Sequence, residues 1–257
     1  MVFYFSATGN SQYAADRIAG ELKDRTISIG AALRDRRFEY DISGDEYLVF
    51  VVPTFAWTLP GAVGEFIESM VLKGYGNQKV YGVFTCGESS GGECAALAAM
   101  LQGKSIGFNG SFDLVMPDNF IIWSSLPPKQ TLDKILSAAD SRLEEIIEAI
   151  KSKSQGKIDT NQPRDLFMPI AEISTSKGTS KLYYTEACTS CGLCQKLCPM
   201  SCITGDNEGH PVWEGRCTMC LACLHNCPSR AIEHGQDTKG KERYINPKVT
   251  LRLENKY

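Results

Sequence analysis

The cysteines constrain this 257-residue chain more than any other feature, because nine of its eleven lie between Cys188 and Cys227. Eight of these form two sets of four with one spacing, C-x2-C-x2-C-x3-C-P, and the second set follows the first at an offset of 29 residues. The first set is Cys188, Cys191, Cys194 and Cys198, and the second is Cys217, Cys220, Cys223 and Cys227. Cys86 and Cys94 stand apart. Such spacing indicates metal or redox chemistry rather than a disulfide framework.

The spacing is that of bacterial ferredoxins, present twice, and it predicts two [4Fe–4S] clusters. Three cysteines at two-residue gaps wrap three corners of one cubane, so the fourth ligand has to come from elsewhere, and in two-cluster ferredoxins it comes from the other set. The predicted ligands of cluster 1 are Cys188, Cys191, Cys194 and Cys227, and those of cluster 2 are Cys217, Cys220, Cys223 and Cys198.

Other metal chemistry fits this pattern less well. Zinc prefers two CxxC pairs separated by a longer span, and attached haem requires C-x-x-C-H, where this chain has Leu224 in place of the histidine. Cys202, the ninth cysteine of the group, is expected to be a spare or packed thiol and not a ligand. A domain this small buries little apolar surface, so we expect the clusters to supply much of its folding free energy.

The first 150 residues or so alternate between strand and helix signals, which predicts a parallel sheet covered on both faces. The predicted strands are Val2–Phe5, Thr26–Ile29, Tyr47–Val52, Val80–Thr85 and Phe112–Met116. The predicted helices cover residues 11–24, 60–72, 91–102 and 129–152.

Three loops follow strands of this sheet and are expected to meet at its carboxyl edge, where such sheets bind ligands. The first, Ser6–Ser11, offers hydroxyls and amides at a helix N-terminus, which suits a phosphate. The second carries Trp57, a candidate to stack on a flavin ring, and the third is rich in glycine. Three simpler interpretations stay open: a Ser/Thr helix cap in the first loop, core packing of Trp57, and Cys86 as a small buried hydrophobe.

Residues 2–15 resemble the start of a flavodoxin, and the whole chain resembles the flavodoxin–ferredoxin fusion proteins of anaerobic prokaryotes, including Met116–Phe120 and Thr238–Lys241. The resemblance implies a flavodoxin-like doubly wound five-stranded parallel α/β sheet of order 2-1-3-4-5, and a second, small bacterial ferredoxin-like α+β domain. It implies FMN bound by Ser6, Thr8, Gly9, Asn10 and Ser11, by Pro53, Thr54, Phe55, Ala56 and Trp57, and by Thr85, Cys86, Gly87, Gly91 and Gly92. Many flavodoxins have a glycine beside the stacking aromatic residue, where this chain has Thr58.

We therefore predict an FMN-binding domain over residues 1–155, a linker over 156–180, a two-cluster domain over 181–235 and a basic tail over 236–257. The linker contains an apolar patch, Leu166–Met168, which suggests that it is not fully free. The tail is expected to fold back on the first domain, to meet an acidic partner, or to remain a solvated end.

Composition excludes several classes of function. A net charge of −3 gives no support to nucleic-acid or anionic-membrane binding, and no run of about 18 apolar residues is present. Met1 leads directly into the first strand without a basic segment, so we expect no signal peptide and a cytoplasmic location.

The predicted function is electron transfer between the two clusters and FMN, with unidentified redox proteins as partners. One alternative is an FMN-dependent reductase of a small acceptor, with Phe120, Trp123 and the Leu126–Pro128 segment shaping a substrate pocket. The other is a redox or iron sensor. The predicted electron transfer requires no general acid or base, and His210, His225 and His234 are expected to be surface or packing residues.

Overall fold

A computed structural model describes residues 1–158 and 176–250. The predicted apolar patch Leu166–Met168 lies outside the described residues, as do most of the predicted linker and the last seven residues of the tail. Within the described ranges no helix combines the length and the apolar character needed to cross a membrane.

A five-stranded parallel sheet forms the centre of the N-terminal domain. Its strands are β1 (Val2–Tyr4), β2 (Thr26–Ser28), β4 (Tyr47–Pro53), β6 (Lys79–Cys86) and β7 (Ser111–Val115). Their spatial order is β2-β1-β4-β6-β7, with every neighbouring pair parallel. Counted within the sheet alone, this is the predicted order 2-1-3-4-5, so the predicted doubly wound fold is confirmed.

Five helices cover the two faces of this sheet. They are α1 (Asn10–Leu22), α2 (Ile29–Arg34), α3 (Gly61–Ser69), α4 (Glu93–Gly103) and α5 (Lys129–Lys151). Because side chains alternate along a strand, Phe3 and Phe50 enter the core beneath α2, α3 and α4. Val2 and Val49 enter the opposite core, beneath α1 and α5.

The helix predicted over residues 60–72 is too long, and the sequence analysis missed one pair of strands. The α3 helix ends at Ser69, because Met70 is extended (φ −62°, ψ 134°) and the chain continues as β5 (Val71–Lys73). This strand pairs in parallel with β3 (Glu39–Asp41). Three-residue strands leave no periodic signal, and Val71 and Leu72 continue the apolar pattern of the helix into the strand.

The C-terminal domain consists of two antiparallel strand pairs and two short helices. Strand β8 (Leu182–Tyr184) pairs with β11 (Ile232–His234), and β9 (Ile203–Gly205) pairs with β10 (Pro211–Trp213). The helices are α6 (Leu193–Leu197) and α7 (Ala222–His225), and a 3₁₀ turn over Ser176–Lys181 precedes β8.

The sequence repeat is also a repeat of backbone conformation. Ser190 and Gly192 have positive φ, and so do Met219 and Leu221, the residues at the equivalent positions of the second set. Left-handed residues on both sides of one cysteine wind the chain tightly around a common centre. Non-glycine residues adopt this conformation at a cost, so the second loop is held in shape by its surroundings.

The C-terminal domain lies against the carboxyl edge of the sheet. A Cβ added to Gly30, at the start of α2, would stand 3.4 Å from Cβ of Pro199. The Arg34 guanidinium donates to the carbonyl of Lys196 at 2.7 Å. Met200 and Cys220 pack against the core of the first domain. The two domains therefore meet where the three ligand-binding loops were predicted.

Candidate cofactor sites

The eight repeat cysteines line two separate cavities, four to each. One cavity is lined by Cys198, Cys217, Cys220 and Cys223, and the other by Cys188, Cys191, Cys194 and Cys227. These are the same crosswise sets that the spacing predicts, although ligation itself stays a prediction. The free space is about 380 Å³ in the first cavity and 340 Å³ in the second, part of it open to solvent.

The cavities fit a cubane better than a single ion. A tetrahedral zinc draws its sulfurs to about 2.3 Å from one centre, so the side chains that hold it have to converge on a single point. Among the described residues no three His, Cys, Asp or Glu side chains come close enough together to hold one metal ion. Burial raises the pKa of the Cys194 thiol to about 11, so iron bound there has to supply the positive charge that keeps such a group ionised.

Cys202 lies at the wall of the cavity lined by Cys198 and Cys217, where it is buried. Its sulfur is close to that of Cys198, so the ninth cysteine is a packed thiol beside the predicted cluster-2 ligands, one of the two possibilities that the sequence left open.

The first of the three loops leads from β1 into α1 and presents hydroxyl donors. Ser6 Oγ accepts a hydrogen bond from the amide of Gly9 at 3.1 Å, and Thr8 Oγ1 accepts one from Nδ2 of Asn119 at 2.9 Å. Each hydroxyl therefore keeps its own proton to donate. Since the amides at the start of a helix point out of its N-terminus, this arrangement fits an uncharged cradle for a phosphate.

Two other predicted phosphate ligands form hydrogen bonds with other side chains of the protein. Asn10 is buried, and its Oδ1 accepts hydrogen bonds from Tyr244 and Asn246 of the tail at 2.8 and 3.0 Å. Ser11 Oγ lies 2.7 Å from Oγ1 of Thr85, another predicted site residue. Contact of Asn10 with a phosphate therefore has no support in its hydrogen bonding.

The second loop turns tightly and exposes its aromatic residue. Phe55 and Thr58 exchange backbone hydrogen bonds of 3.0 and 3.1 Å across Ala56 and Trp57, both of which have positive φ. A two-residue turn of this kind favours Asn-Gly, so Ala-Trp is strained here, and strain of this kind concentrates at ligand sites. Trp57 is 47% exposed, which leaves ring surface available for stacking.

The second and third loops touch each other. The Gly92 amide donates to the Trp57 carbonyl at 2.9 Å, and a Cβ on Gly91 (φ 56°) would stand 2.6 Å from Cβ of Trp57. Gly87 approaches Asp118 instead, and Cys86 is buried as a small hydrophobe. The flavin ring is thus expected beside the joined loops, on exposed Trp57, rather than in a slot between the two.

Sequence reasoning missed a buried carboxyl group beneath these loops. Glu93, at the start of α4, is fully buried and accepts a hydrogen bond from Thr54, while its Oε1 has no partner among the described residues. Burial raises the pKa of Glu93 well above its usual value, against the lowering effect of the Thr54 hydroxyl, and the Asp113 charge adds to the rise. Burial therefore favours the protonated, uncharged form of this carboxyl group.

Sequence reasoning allowed the tail to fold back on the first domain, but it did not predict that the tail and the second domain hold the first loop. Asn226 donates to the Ala7 carbonyl at 3.1 Å, and the Asn246 amide donates to the Thr8 carbonyl at 2.7 Å. Single polar residues more than 200 positions from their partners form no pattern that could predict these contacts.

His225 connects the loops to the end of α7. Its Nδ1 accepts from the Tyr244 amide at 3.1 Å, so its Nε2 carries the proton and donates to the Asn119 carbonyl at 2.9 Å. Burial lowers the pKa of His225 to about 4, which keeps the ring neutral. The histidine is a packing residue, as expected, but one that joins two domains.

The loop after β7 packs against the C-terminal domain. Ile121 is completely buried among residues of that domain, and Phe120 and Leu126 pack against the same cluster. Lys241 of the tail donates to the carbonyls of Ile121 and Ser124 at 2.7 and 3.1 Å. These side chains are therefore occupied by the domain contact and do not support a substrate pocket, although Trp123 is 64% exposed.

Each of the two domains matches a known protein family. Residues 2–108 match the flavodoxin family and residues 187–232 match the 4Fe-4S dicluster domain family. A ferredoxin of Chlorobaculum thiosulfatiphilum is 37% identical over 60 residues, which are 21% of this chain and 98% of the relative. Ferredoxin-1 of Chlorobaculum tepidum is 35% identical over 60 residues, covering 21% of this chain and 97% of the relative.

Among solved structures, a flavodoxin from Fusobacterium nucleatum bound to flavin mononucleotide aligns with a TM-score of 0.38 at 16% identity, covering 60% of this chain and 96% of that one. A flavodoxin from Streptococcus pneumonia aligns with a TM-score of 0.37 at 14% identity, covering 59% of this chain and 97% of that one. With both family matches, the ferredoxin relatives and the sheet order together, the chain joins a flavodoxin domain to a 4Fe-4S dicluster domain of the ferredoxin family, which is consistent with a flavodoxin–ferredoxin fusion protein.

Proposed function

We propose that this protein carries electrons between redox partner proteins and FMN through two [4Fe–4S] clusters, in the order partner, cluster 1, cluster 2, FMN. The observation that carries the proposal is the division of eight cysteines into two four-cysteine cavities, together with the packing of Met200 and Cys220, which line the cluster-2 cavity, against the core of the flavodoxin domain.

The position of the cluster-2 cavity supports its place next to FMN. Pro199, Met200 and Cys220 line this cavity, and all three lie in the domain contact described above. Phe5 and Phe55, which precede the phosphate loop and the Trp57 turn, belong to or pack against the same apolar core. Apolar packing of this kind excludes water between two redox centres and keeps them close.

The surroundings of cluster 1 support a role as the outer centre. Cys191 is exposed, whereas Cys198 of the other cavity is buried. A partner protein that docks near Cys191 comes within reach of cluster 1 without any rearrangement of the two domains.

The protein's own residues bind, orient and shield the carriers. FMN accepts one or two electrons and each cluster one, so their combination couples one-electron to two-electron carriers. The hydroxyls of Ser6 and Thr8 bind the phosphate, Trp57 covers ring surface, and hydrogen bonds to the cysteine sulfurs adjust the cluster potentials.

Cofactor analysis of protein purified without oxygen is the first test. Two cubanes and one flavin predict about eight irons, eight sulfides and one FMN per chain. A colourless preparation that contains zinc would refute the proposal.

Stopped-flow reduction is the second test. When a one-electron donor protein reduces the holoprotein, bleaching of the cluster absorbance should precede that of the flavin. The second phase should have a rate that does not depend on protein concentration, because the transfer is intramolecular. A flavin phase whose rate rises in proportion to protein concentration would exclude the internal chain.

A further inference from the structure

We infer that the FMN phosphate site is not complete within the flavodoxin domain: Asn226 of the ferredoxin domain and the tail segment 244–249 orient the phosphate loop and thereby set the affinity for the phosphate. The inference rests on the proposed function, since it takes FMN as the ligand of this loop.

Two outward hydrogen bonds fix the peptide planes of the loop. Asn226 Nδ2 holds the Ala7 carbonyl at 3.1 Å, and the Asn246 amide holds the Thr8 carbonyl at 2.7 Å. In a planar trans peptide the carbonyl and the next amide point in opposite directions. Holding these carbonyls outward therefore turns the amides of Thr8 and Gly9 into the loop, and the Gly9 amide does reach Ser6 Oγ there.

A second link orients the Thr8 hydroxyl. Nε2 of His225 donates to the Asn119 carbonyl, and Nδ2 of the same asparagine donates to Thr8 Oγ1, each at 2.9 Å. Because Thr8 Oγ1 is already an acceptor, its proton is left to donate to an anion. Removal of the ferredoxin domain would release this hydroxyl as well as the loop carbonyls.

The tail closes the outer side of the loop. A Cβ on Gly9 (φ 98°) would stand 2.5 Å from Cγ2 of Val249, so the tail lies directly on this residue. Tyr244 and Asn246, both buried, hold the Asn10 side chain between them. Asn10 thus connects the phosphate loop to the tail.

The same short segment serves the cluster ligands and the loop. His225 and Asn226 lie between Cys223, a predicted ligand of cluster 2, and Cys227, a predicted ligand of cluster 1. Formation of the clusters fixes this segment, so the phosphate loop takes its binding shape only when the ferredoxin domain is assembled on it.

The test compares the binding of FMN with that of riboflavin, which lacks the phosphate. The sample is the full chain, prepared without oxygen so that its clusters are present, and with its flavin removed. The variant is Asn226→Leu, which keeps the approximate shape and removes the donor. The matched control is Asn207→Leu, at an exposed asparagine of the same domain that holds no loop carbonyl. Iron and sulfide contents equal to wild type establish that the domain is folded.

Loss of this hydrogen bond should weaken FMN binding by about fivefold or more, measured by quenching of flavin fluorescence, and leave riboflavin binding unchanged. Asn207→Leu should bind both flavins like wild type. Tyr244→Phe, which removes one hydrogen bond from Asn10, should weaken FMN binding by about twofold to fivefold. If Asn226→Leu loses iron, Tyr244→Phe tests the inference in its place.

The inference is overturned if the folded variants bind FMN like wild type, or if they bind both flavins more weakly by the same factor. A wild-type chain that binds no FMN would instead refute the proposed function, so the two failures are distinguishable.

Discussion

Cys202 Sγ lies 3.5 Å from Cys198 Sγ, inside the ferredoxin domain. The hydrogen bond to Cys198, followed by one to Cys217, raises the pKa of the Cys202 thiol, which therefore stays protonated. The same contact lowers the pKa of Cys198. Cys202 is thus a neutral S–H donor facing two predicted thiolate ligands of cluster 2.

Replacing Cys202 with alanine should lower the reduction potential of cluster 2. A hydrogen bond to a ligand sulfur stabilises the reduced cluster more than the oxidised one, because the reduced form carries the additional negative charge. A net hydrogen-bond contribution of about 1 kcal/mol corresponds to roughly 40 mV for one electron. An anaerobic redox titration followed by electron paramagnetic resonance measures the shift.

Two further variants separate this effect from loss of packing. Cys202→Ser keeps a donor and should retain most of the wild-type potential. Cys94→Ala removes a buried thiol of the flavodoxin core that lines neither cavity, and it should leave both cluster potentials unchanged. An unaltered potential in Cys202→Ala would show that the thiol has no tuning role.

Replacing Arg243 with methionine should strongly destabilise the ferredoxin domain. Its guanidinium lies 2.8 Å from Glu233 Oε2, and the two side chains are 6% and 11% exposed. Loss of one partner from such a buried pair leaves an uncompensated charge and costs about 3 kcal/mol. Urea unfolding of the holoprotein, followed by loss of the cluster absorbance, measures the change.

The exposed pair Arg230–Glu242 provides the matched control. Its nitrogen–oxygen distance is 3.1 Å, but the side chains are 61% and 72% exposed. Arg230→Met should therefore change the free energy of unfolding by no more than about 0.5 kcal/mol. Equal effects of the two substitutions would contradict a structural role for the tail.

Most of the architecture could be predicted from local sequence patterns and from the cysteine repeat. The dense apolar strands and their alternation with helices predicted the parallel sheet, whereas the order of its strands came from the resemblance to flavodoxins. The cysteine spacing gave the two sets of four, because a tight loop can reach only three corners of one cubane. The helix α2 was missed although Ser28 Oγ caps it by accepting from the Ala31 amide at 3.2 Å, since the apolar residues around it were assigned to a strand.

The contact between the domains could not be predicted in the same way. It depends on single side chains such as Asn226 and Lys241, which meet backbone carbonyls of loops with no periodicity. The tail was expected to fold back, to meet a partner or to be solvated. In the described residues up to 250 the tail folds back on the protein, and the side chains of Arg243 and Tyr244 are buried there.

Replacing Glu93 with glutamine should remove a pH dependence of stability. Burial raises the pKa of Glu93 in the folded protein above the ordinary 4.5, so above about pH 4.5 the unfolded chain binds fewer protons than the folded one. Stability therefore falls as pH rises from there to the folded pKa, by at most about 1.4 kcal/mol per pH unit. Glutamine keeps the acceptor for Thr54 and has no proton to lose.

The measurement is the difference in unfolding free energy between Glu93→Gln and wild type at several pH values, because the other ionisable groups, including Asp113, Cys86 and Cys94 nearby, are the same in both proteins. This difference should grow in favour of the variant as pH rises. Glu88→Gln changes an exposed carboxyl of the same loop and should show no such trend. A difference independent of pH would mean that Glu93 is ionised in the folded protein.

Removal of iron should unfold residues 184–234 while the flavodoxin domain stays folded. The ferredoxin domain has strands of only three residues, and its apolar clusters consist largely of residues that line the two cavities, so little packing remains without the clusters. After anaerobic chelation, protease cleavage mapped by mass spectrometry should appear within this span and not within residues 1–150. Protein stripped of FMN but retaining iron is the control and should resist cleavage there. Resistance of residues 184–234 after complete iron loss would mean that the polypeptide alone maintains this domain.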